Sequence, residues 1–397
     1  MNAPHEAARD LRGGLPAGGT RGRRAGGGGP GPGRAAVLAA ALVAAASQAR
    51  DFRAEGSDAG SGVGARYVAL GGTGVALADD LYAAIHNPAG LARLDGLQLS
   101  VSRQLDARLQ PVNAAGAAWK LPLRADGPQV GLAAVFYPRM HARASGAFSD
   151  ADFESVFLRY LLPGISGTFD GDIDSKTRAW RLAAGFAPWA GSDWSFGAYI
   201  ERVDCRSDFC GVHASSNGYT ESSTRAKATA LGIGVRHRFG SGWAMAASAN
   251  DLNTRLNVST VTTDSLGTRE RLWDARFPRK LAVELARDQT SALRWAVQLE
   301  ATRGRYGRSE LDIRVLRAGI EKDAGAWRYR AGAIVPLKIA SSETRELKAP
   351  VPLAPTVGLG WRRGPLELGL AVHAQPVMSM HKDRPVPTAD LSLLLRL

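Results

Sequence analysis

Residues 293–299 read LRWAVQL and residues 366–372 read LELGLAV, and these two stretches decide the fold. In the first, Leu293, Trp295, Val297 and Leu299 alternate with Arg294, Ala296 and Gln298. In the second, Leu366, Leu368, Leu370 and Val372 alternate with Glu367, Gly369 and Ala371. A period of two places one set on each face of a β-strand. The pattern recurs at Trp180, Leu182, Ala184 and Phe186, at Leu281, Val283 and Leu285, and at Leu391, Leu393, Leu395 and Leu397. No residue of the apolar register is charged. The interleaved register (Arg181, Ala183, Gly185; Lys280, Ala282, Glu284; Arg294, Gln298, Glu300; Glu367, His373; Asp390, Ser392, Arg396) is polar or small, with Leu394 its one large aliphatic.

Extending this reading outward predicts strands near 97–105, 112–121, 129–137, 178–188, 193–204, 225–239, 242–252, 277–287, 292–302, 311–321, 326–336, 354–363, 365–376 and 387–397. The loops after odd-numbered strands hold 6 to 40 residues and those after even-numbered strands 1 to 7. A soluble sandwich has no reason to gather its long loops at one end, whereas an outer-membrane barrel has short periplasmic turns and long extracellular loops. An open sheet edge in hydrocarbon leaves unpaired N–H and C=O groups, so the sheet must close. The expected fold is therefore all-β, a transmembrane antiparallel β-barrel of about 14 strands. Trp119, Trp180, Trp189, Trp194, Trp243, Trp295, Trp327 and Trp361 lie in or beside strands, where an interfacial girdle would sit.

Composition agrees. The 397 residues are 45% hydrophobic without a helix-length apolar run, as expected when apolar residues occupy every second position. Residues 35–46 form an apolar run of 12, preceded by Arg21, Arg23, Arg24 and Arg34 and followed by Ser47-Gln48-Ala49. That order predicts a secretory signal cut after Ala49, behind a Gly-, Pro- and Arg-rich leader. The leader and signal, residues 1–49, carry +4 of the net +13. Export makes a local Cys205–Cys210 disulfide the expected state of the two cysteines.

Residues 64–94 read GARYVALGGTGVALADDLYAAIHNPAGLARL. The elements Gly64-Ala65-Arg66, Gly71-Gly72-Thr73-Gly74, Ala78-Asp79-Asp80 and Asn87-Pro88-Ala89-Gly90-Leu91 resemble the N-terminal region of the FadL-like barrels, the long-chain fatty-acid channels, and in wording the PorV/PorQ family still more. The resemblance implies that residues 50–96 form a small helical hatch in the lumen of a barrel spanning 97–397. Gly71, Gly72, Gly74, Asp79, Asp80, His86, Asn87, Pro88 and Ala89 would then belong to a hatch that lines a solute path. Asp80 and Asn87 read alternatively as caps of short helices within that hatch. Among lumen charges, Arg181, Arg294 and Arg328 are expected either to bind a carboxylate headgroup or to pair with Glu284, Glu300 and Glu367.

The resemblance implies passive uptake of hydrophobic or amphipathic, fatty-acid-like molecules. A PorV/PorQ-like barrel would instead bind or shuttle exported proteins, as a type IX secretion-like scaffold. Outer-membrane lipid and lipopolysaccharide are expected partners in a Gram-negative-type outer membrane, where arginine meets phosphate. The sequence has no G-x-x-x-x-G-K-[ST], no H-E-x-x-H and no G-x-S-x-G. No cofactor, metal, nucleic-acid partner or enzymatic activity is expected.

Overall fold

The computed structural model describes residues 52–397 except 106–108, 110–111, 122, 125, 149–168, 207–212, 217–219, 288–292, 307–308, 342–351 and 383. The predicted signal segment and Cys210 lie outside the described residues. The strands form one antiparallel sheet: β1 (Phe52–Glu55), β2 (Leu97–Gln104), β3 (Ala114–Lys120), β4 (Gln129–Phe148), β5 (Phe169–Ala187), β6 (Trp194–Arg206), β7 (His213–Ser216), β8 (Thr220–Phe239), β9 (Trp243–Asn250), β10 (Arg255–Asp264), β11 (Gly267–Arg276), β12 (Arg279–Arg287), β13 (Leu293–Tyr306), β14 (Ser309–Ala324), β15 (Trp327–Ser341), β16 (Ala354–Arg363), β17 (Leu366–Ala374) and β18 (Pro387–Arg396).

Fourteen of these are barrel staves, and they coincide with the strands expected from the alternation. Closure is made by β18 against β2, where Leu393 faces Val101. The seam ends on reciprocal backbone bonds between Leu97 and Leu397, 3.0 and 2.8 Å long. The four remaining strands were not expected. β1 extends the edge of β4 beyond the short β3. β7 fills a place between β5 and β8, and the β10–β11 hairpin pairs with β8 at the loop end. The predicted long loop between β4 and β5 is much shorter, because both strands continue past the apolar belt to Phe148 and Phe169.

The two registers separate as the alternation requires. Leu182 (61%), Leu281 (53%) and Leu299 (50%) are exposed on the outer wall, while Arg181, Glu284 and Gln298 are buried inside. An exposed apolar outer wall around a polar, buried interior is the arrangement a lipid bilayer demands. Val372 departs from it, lying buried near the loop end of β17. At the turn end the outward rings of Trp194, His237, Phe239, Trp243 and Trp295 follow one another around the wall, with centroid spacings of 4.1 to 6.5 Å. Trp327 and Trp361 are direct cross-strand partners in the same band. Trp180 sits further up, against Phe136 at 4.7 Å.

After β1, residues 56–96 lie inside the barrel, against the inner faces of its staves. They form only short helical pieces, α1 (Ala65–Ala69), α2 (Ala83–His86) and the 3-10 turns Ser57–Ala59 and Pro88–Arg93, linked by irregular backbone. A third helix, α3 (Pro376–Lys382), lies between β17 and β18 at the loop end.

Candidate functional site

Small residues decide how the lumenal segment sits. A ring of inward-facing glycines on the staves receives it: Gly332 meets the backbone of Gly71, Gly319 that of Leu70, Gly197 that of Pro88 and Ala89, and Gly131 that of Leu91, while Gly358 meets the Ala69 methyl and Gly234 the Asn87 side-chain amide. A Cβ at any of these positions would overlap the segment. Gly71 and Gly72 of the segment itself adopt positive φ (71° and 80°), a conformation that costs other residues energy.

Buried polar groups then fix it in place. The Glu284 carboxylate, fully buried on β12, accepts four successive backbone N–H groups, from Gly74 (2.7 Å), Val75 (2.7 Å), Ala76 (3.0 Å) and Leu77 (3.2 Å). Burial of a carboxylate is tolerable only with such full hydrogen bonding. Arg236 donates to the Ala76 carbonyl at 2.9 Å, and Thr356 to that of Ala69 at 2.8 Å. Arg317 donates to Gly60 and Gly71. Asn87 uses its whole amide: Nδ2 donates to Val75 and Val235, and Oδ1 accepts from the Ala89 amide, capping the turn that begins at Pro88. Asp80 accepts from the Tyr82 amide at 2.9 Å.

Two ionic clusters surround the segment. Toward the turn end, Arg66 reaches Asp79 at 2.6 Å and Glu321 at 3.1 Å, and Glu321 also holds Arg294 (2.9 Å) and Arg330 (2.7 Å). Burial disfavours ionised Asp79, yet Arg66 and Arg93 outweigh it and keep this carboxyl well below the usual range. For its neighbour Asp80, burial together with Asp79 wins and the affinity for a proton rises. Toward the loop end, Arg139 binds Asp251 (2.7 Å), Asp58 (2.9 Å) and Glu201 (3.3 Å). Glu201 also receives Arg181 at 2.6 Å and the Tyr137 hydroxyl, while the Arg181 guanidinium lies 3.5 Å from the Tyr199 ring centre.

The expected lumen pairings are thereby rearranged. Arg328 does meet Glu367, at 2.8 Å, and Glu300 lies in the lumen beside Arg317 at 3.4 Å. Arg181 turns to Glu201, Arg294 to Glu321 and Asp323, and Glu284 to backbone amides rather than to an arginine. Arg66, Arg139, Glu201, Asp251 and Glu321 were missed. Arg66 and Glu321 are 255 residues apart in sequence, so no local signal joins them.

Between the lumenal segment and the loops lies an apolar vestibule of about 130 Å³. Its walls are Phe277, Leu311, Ile313, Val315, Ile334 and Ile339, its rim includes Pro376 and Val377 of α3, and its floor is Asp58, Ala59 and Gly60. A bulge between Arg314 and Val315, opposite Leu337, keeps both Pro336 and Ile339 facing inward. Directly beneath is a second, polar cavity of about 80 Å³, bounded by Val63, Gly72, Val75 and His86 of the segment. The cavities share Asp58, Arg139, Asp251, Lys280, Glu300 and Arg317, which therefore lie along their common boundary. His86 packs on Tyr67 at 4.5 Å, and its Nε2 lies 3.2 Å from the Val63 carbonyl. Burial pulls its pKa down to about 4. A larger groove of about 530 Å³ runs over Leu359, Leu368, Leu370, Leu391 and Leu393, but it lies on the lipid-facing wall.

The fold has relatives among solved structures. The toluene transporters TodX of P. putida and TbuX of Ralstonia pickettii each align over 85% of this chain and 99% of their own length, with a TM-score of 0.53 and 14% identity. The monoaromatic hydrocarbon channel CymD aligns over 85% and 98%, with a TM-score of 0.50 and 11% identity. This chain has their fold. The sequence matches no protein-family model and no curated protein.

Proposed function

We propose that the protein is a FadL-like outer-membrane channel for passive uptake of small, uncharged hydrophobic molecules, with residues 50–96 as a hatch. The vestibule carries this reading: its walls are apolar, it lies at the loop end of the barrel and it stands directly over the lumenal segment. An apolar cavity of about 150 Å³ is enough to hold benzene. At about 130 Å³ the vestibule suits a solute of that size. The named titratable groups of its floor balance, with Arg139, Lys280 and Arg317 set against Asp58, Asp251 and Glu300. A neutral solute leaves that balance intact, whereas a fatty-acid carboxylate would have to break an existing pair. The likeness to toluene and hydrocarbon channels supports the same solute class.

Passage requires the floor to move, because the segment fills the lumen below. The contacts that hold the segment, from the glycine slots to Glu284, Arg236, Arg317 and Glu321, can be exchanged without breaking the strand ladder of the wall. Export by residues 1–49 and a Cys205–Cys210 clasp complete the proposal; Cys205 is fully buried near the loop end of β6. The test is mass spectrometry of protein purified in mild detergent after exposure to a monoaromatic hydrocarbon. The expected result is one bound hydrocarbon that is lost in Ile334→Asp. A stoichiometric exported protein with no bound hydrocarbon would overturn the reading in favour of a PorV/PorQ-like role.

A further inference from the structure

The outer wall carries a cationic cluster that the channel reading does not use. On β13, β14 and β15 the outward side chains of Arg303, Arg314 and Lys338 converge on one carboxylate, Asp312, at 3.1, 3.2 and 3.1 Å. Directly opposite Arg303 across the ladder stands Arg279 of β12, also outward and exposed. Like charges placed opposite one another across strands destabilise a sheet. Four cations thus stand on four adjacent staves, three of them on Asp312 and Arg279 beside Arg303, with Glu310 two residues further toward the loops. The cluster keeps a positive surplus.

Its height on the barrel identifies what would neutralise it. Toward the turn end, the outward residues that follow are Leu281 and Val283 on β12, Leu299 and Val297 beyond Ala301 on β13, and the bulged Leu337 beside Lys338, all five of these large side chains exposed. The cations therefore mark the loop-side limit of the apolar belt. An amphiphile seated there would set acyl chains against the leucines and present an anion to the cluster. Several converging cations match a multiply charged phosphate better than a single carboxylate, because guanidinium groups bind phosphate in two-pronged fashion.

We propose that Arg279, Arg303, Arg314 and Lys338 form a docking site for the phosphorylated headgroup of lipopolysaccharide in the outer leaflet. Asp312 holds three of the four cations together while the site is empty. The site is independent of the vestibule, since its side chains face outward and the vestibule's face the lumen.

The test uses the full chain in detergent, with purified diphosphorylated lipopolysaccharide and phosphatidylglycerol as competing probes. The wild-type protein should retain lipopolysaccharide in preference to phosphatidylglycerol and lose it when the sugar is dephosphorylated. Charge-assisted hydrogen bonds are each worth enough that Arg279→Glu/Arg303→Glu/Lys338→Glu should weaken retention at least about tenfold. Arg362→Glu/Arg363→Glu, a comparable reversal at the turn end, should leave it unchanged. Heat-modifiable migration on a gel and hydrocarbon binding should persist in both variants, which separates the site from folding and from transport. Equal retention by the triple variant, an equal loss in the turn-end variant, or equal affinity for phosphatidylglycerol would overturn the proposal.

Discussion

Glu284 concentrates the design in one side chain. Its two oxygens satisfy four backbone N–H groups that would otherwise be buried unpaired. Replacing it by Gln removes the charge and turns one acceptor into a donor aimed at N–H groups. The cost should be about 3 kcal/mol, the sum of a lost charged bond and a stranded amide. Hydrogen exchange at Gly74–Leu77 should accelerate accordingly while the barrel staves stay protected. His86 supplies a pH dependence with a definite sign. Free histidine titrates near 6.5, and the docked side chain only near 4. Between those values the released segment binds a proton that the docked one refuses, so docking is strongest above pH 6.5, weakens as pH falls toward 4, and loses nothing more from this group below that. Arg317 and Lys280 oppose protonation, Glu300 favours it, and burial among Tyr67, Val63 and the glycine backbone decides. Limited proteolysis of residues 52–96 across pH 4–7 should increase toward acid, and His86→Gln should flatten the profile.

At the scale of the strand, face determines tolerance. Val297 points outward on β13 and Gln298 inward. Val297→Arg should destabilise the barrel by about 2–4 kcal/mol in lipid vesicles, as midplane cations do, as measured by denaturant unfolding. The same period-two pattern made all fourteen staves legible in the sequence. The β10–β11 hairpin was not legible, because outside the bilayer both of its faces are largely polar, as in Thr262, Thr263 and Asp264 against Thr268, Arg269 and Glu270. The inner register was legible as small or polar, yet the reason that Gly197 or Gly234 must be glycine lies in Pro88 and Asn87, more than a hundred residues away in sequence. Likewise Glu284 was picked out as a lumen carboxylate expected to pair with an arginine, while its actual partners, being backbone N–H groups, leave no mark in the residue types.

The whole molecule combines a rigid wall with a segment held by glycine slots, hydrogen bonds and apolar packing, in which Tyr67, Leu81, Leu91 and Leu94 join Val135, Tyr137 and Ala179 of the wall. Its short helices are too small to be stable alone, so its conformation depends on the lumen around it. That division lets one part move while the hydrogen-bonded wall stays closed, and it places the apolar vestibule on the far side of the moving part from the turn end. The decisive measurement is uptake of a radiolabelled monoaromatic hydrocarbon by intact cells whose outer leaflet is lipopolysaccharide. Cells producing this protein should take it up faster than cells without it, and Glu284→Gln, which loosens the hatch, should raise the rate further. Uptake indistinguishable from that of cells lacking the protein, in both the wild type and Glu284→Gln, would contradict a hatch-gated hydrocarbon channel.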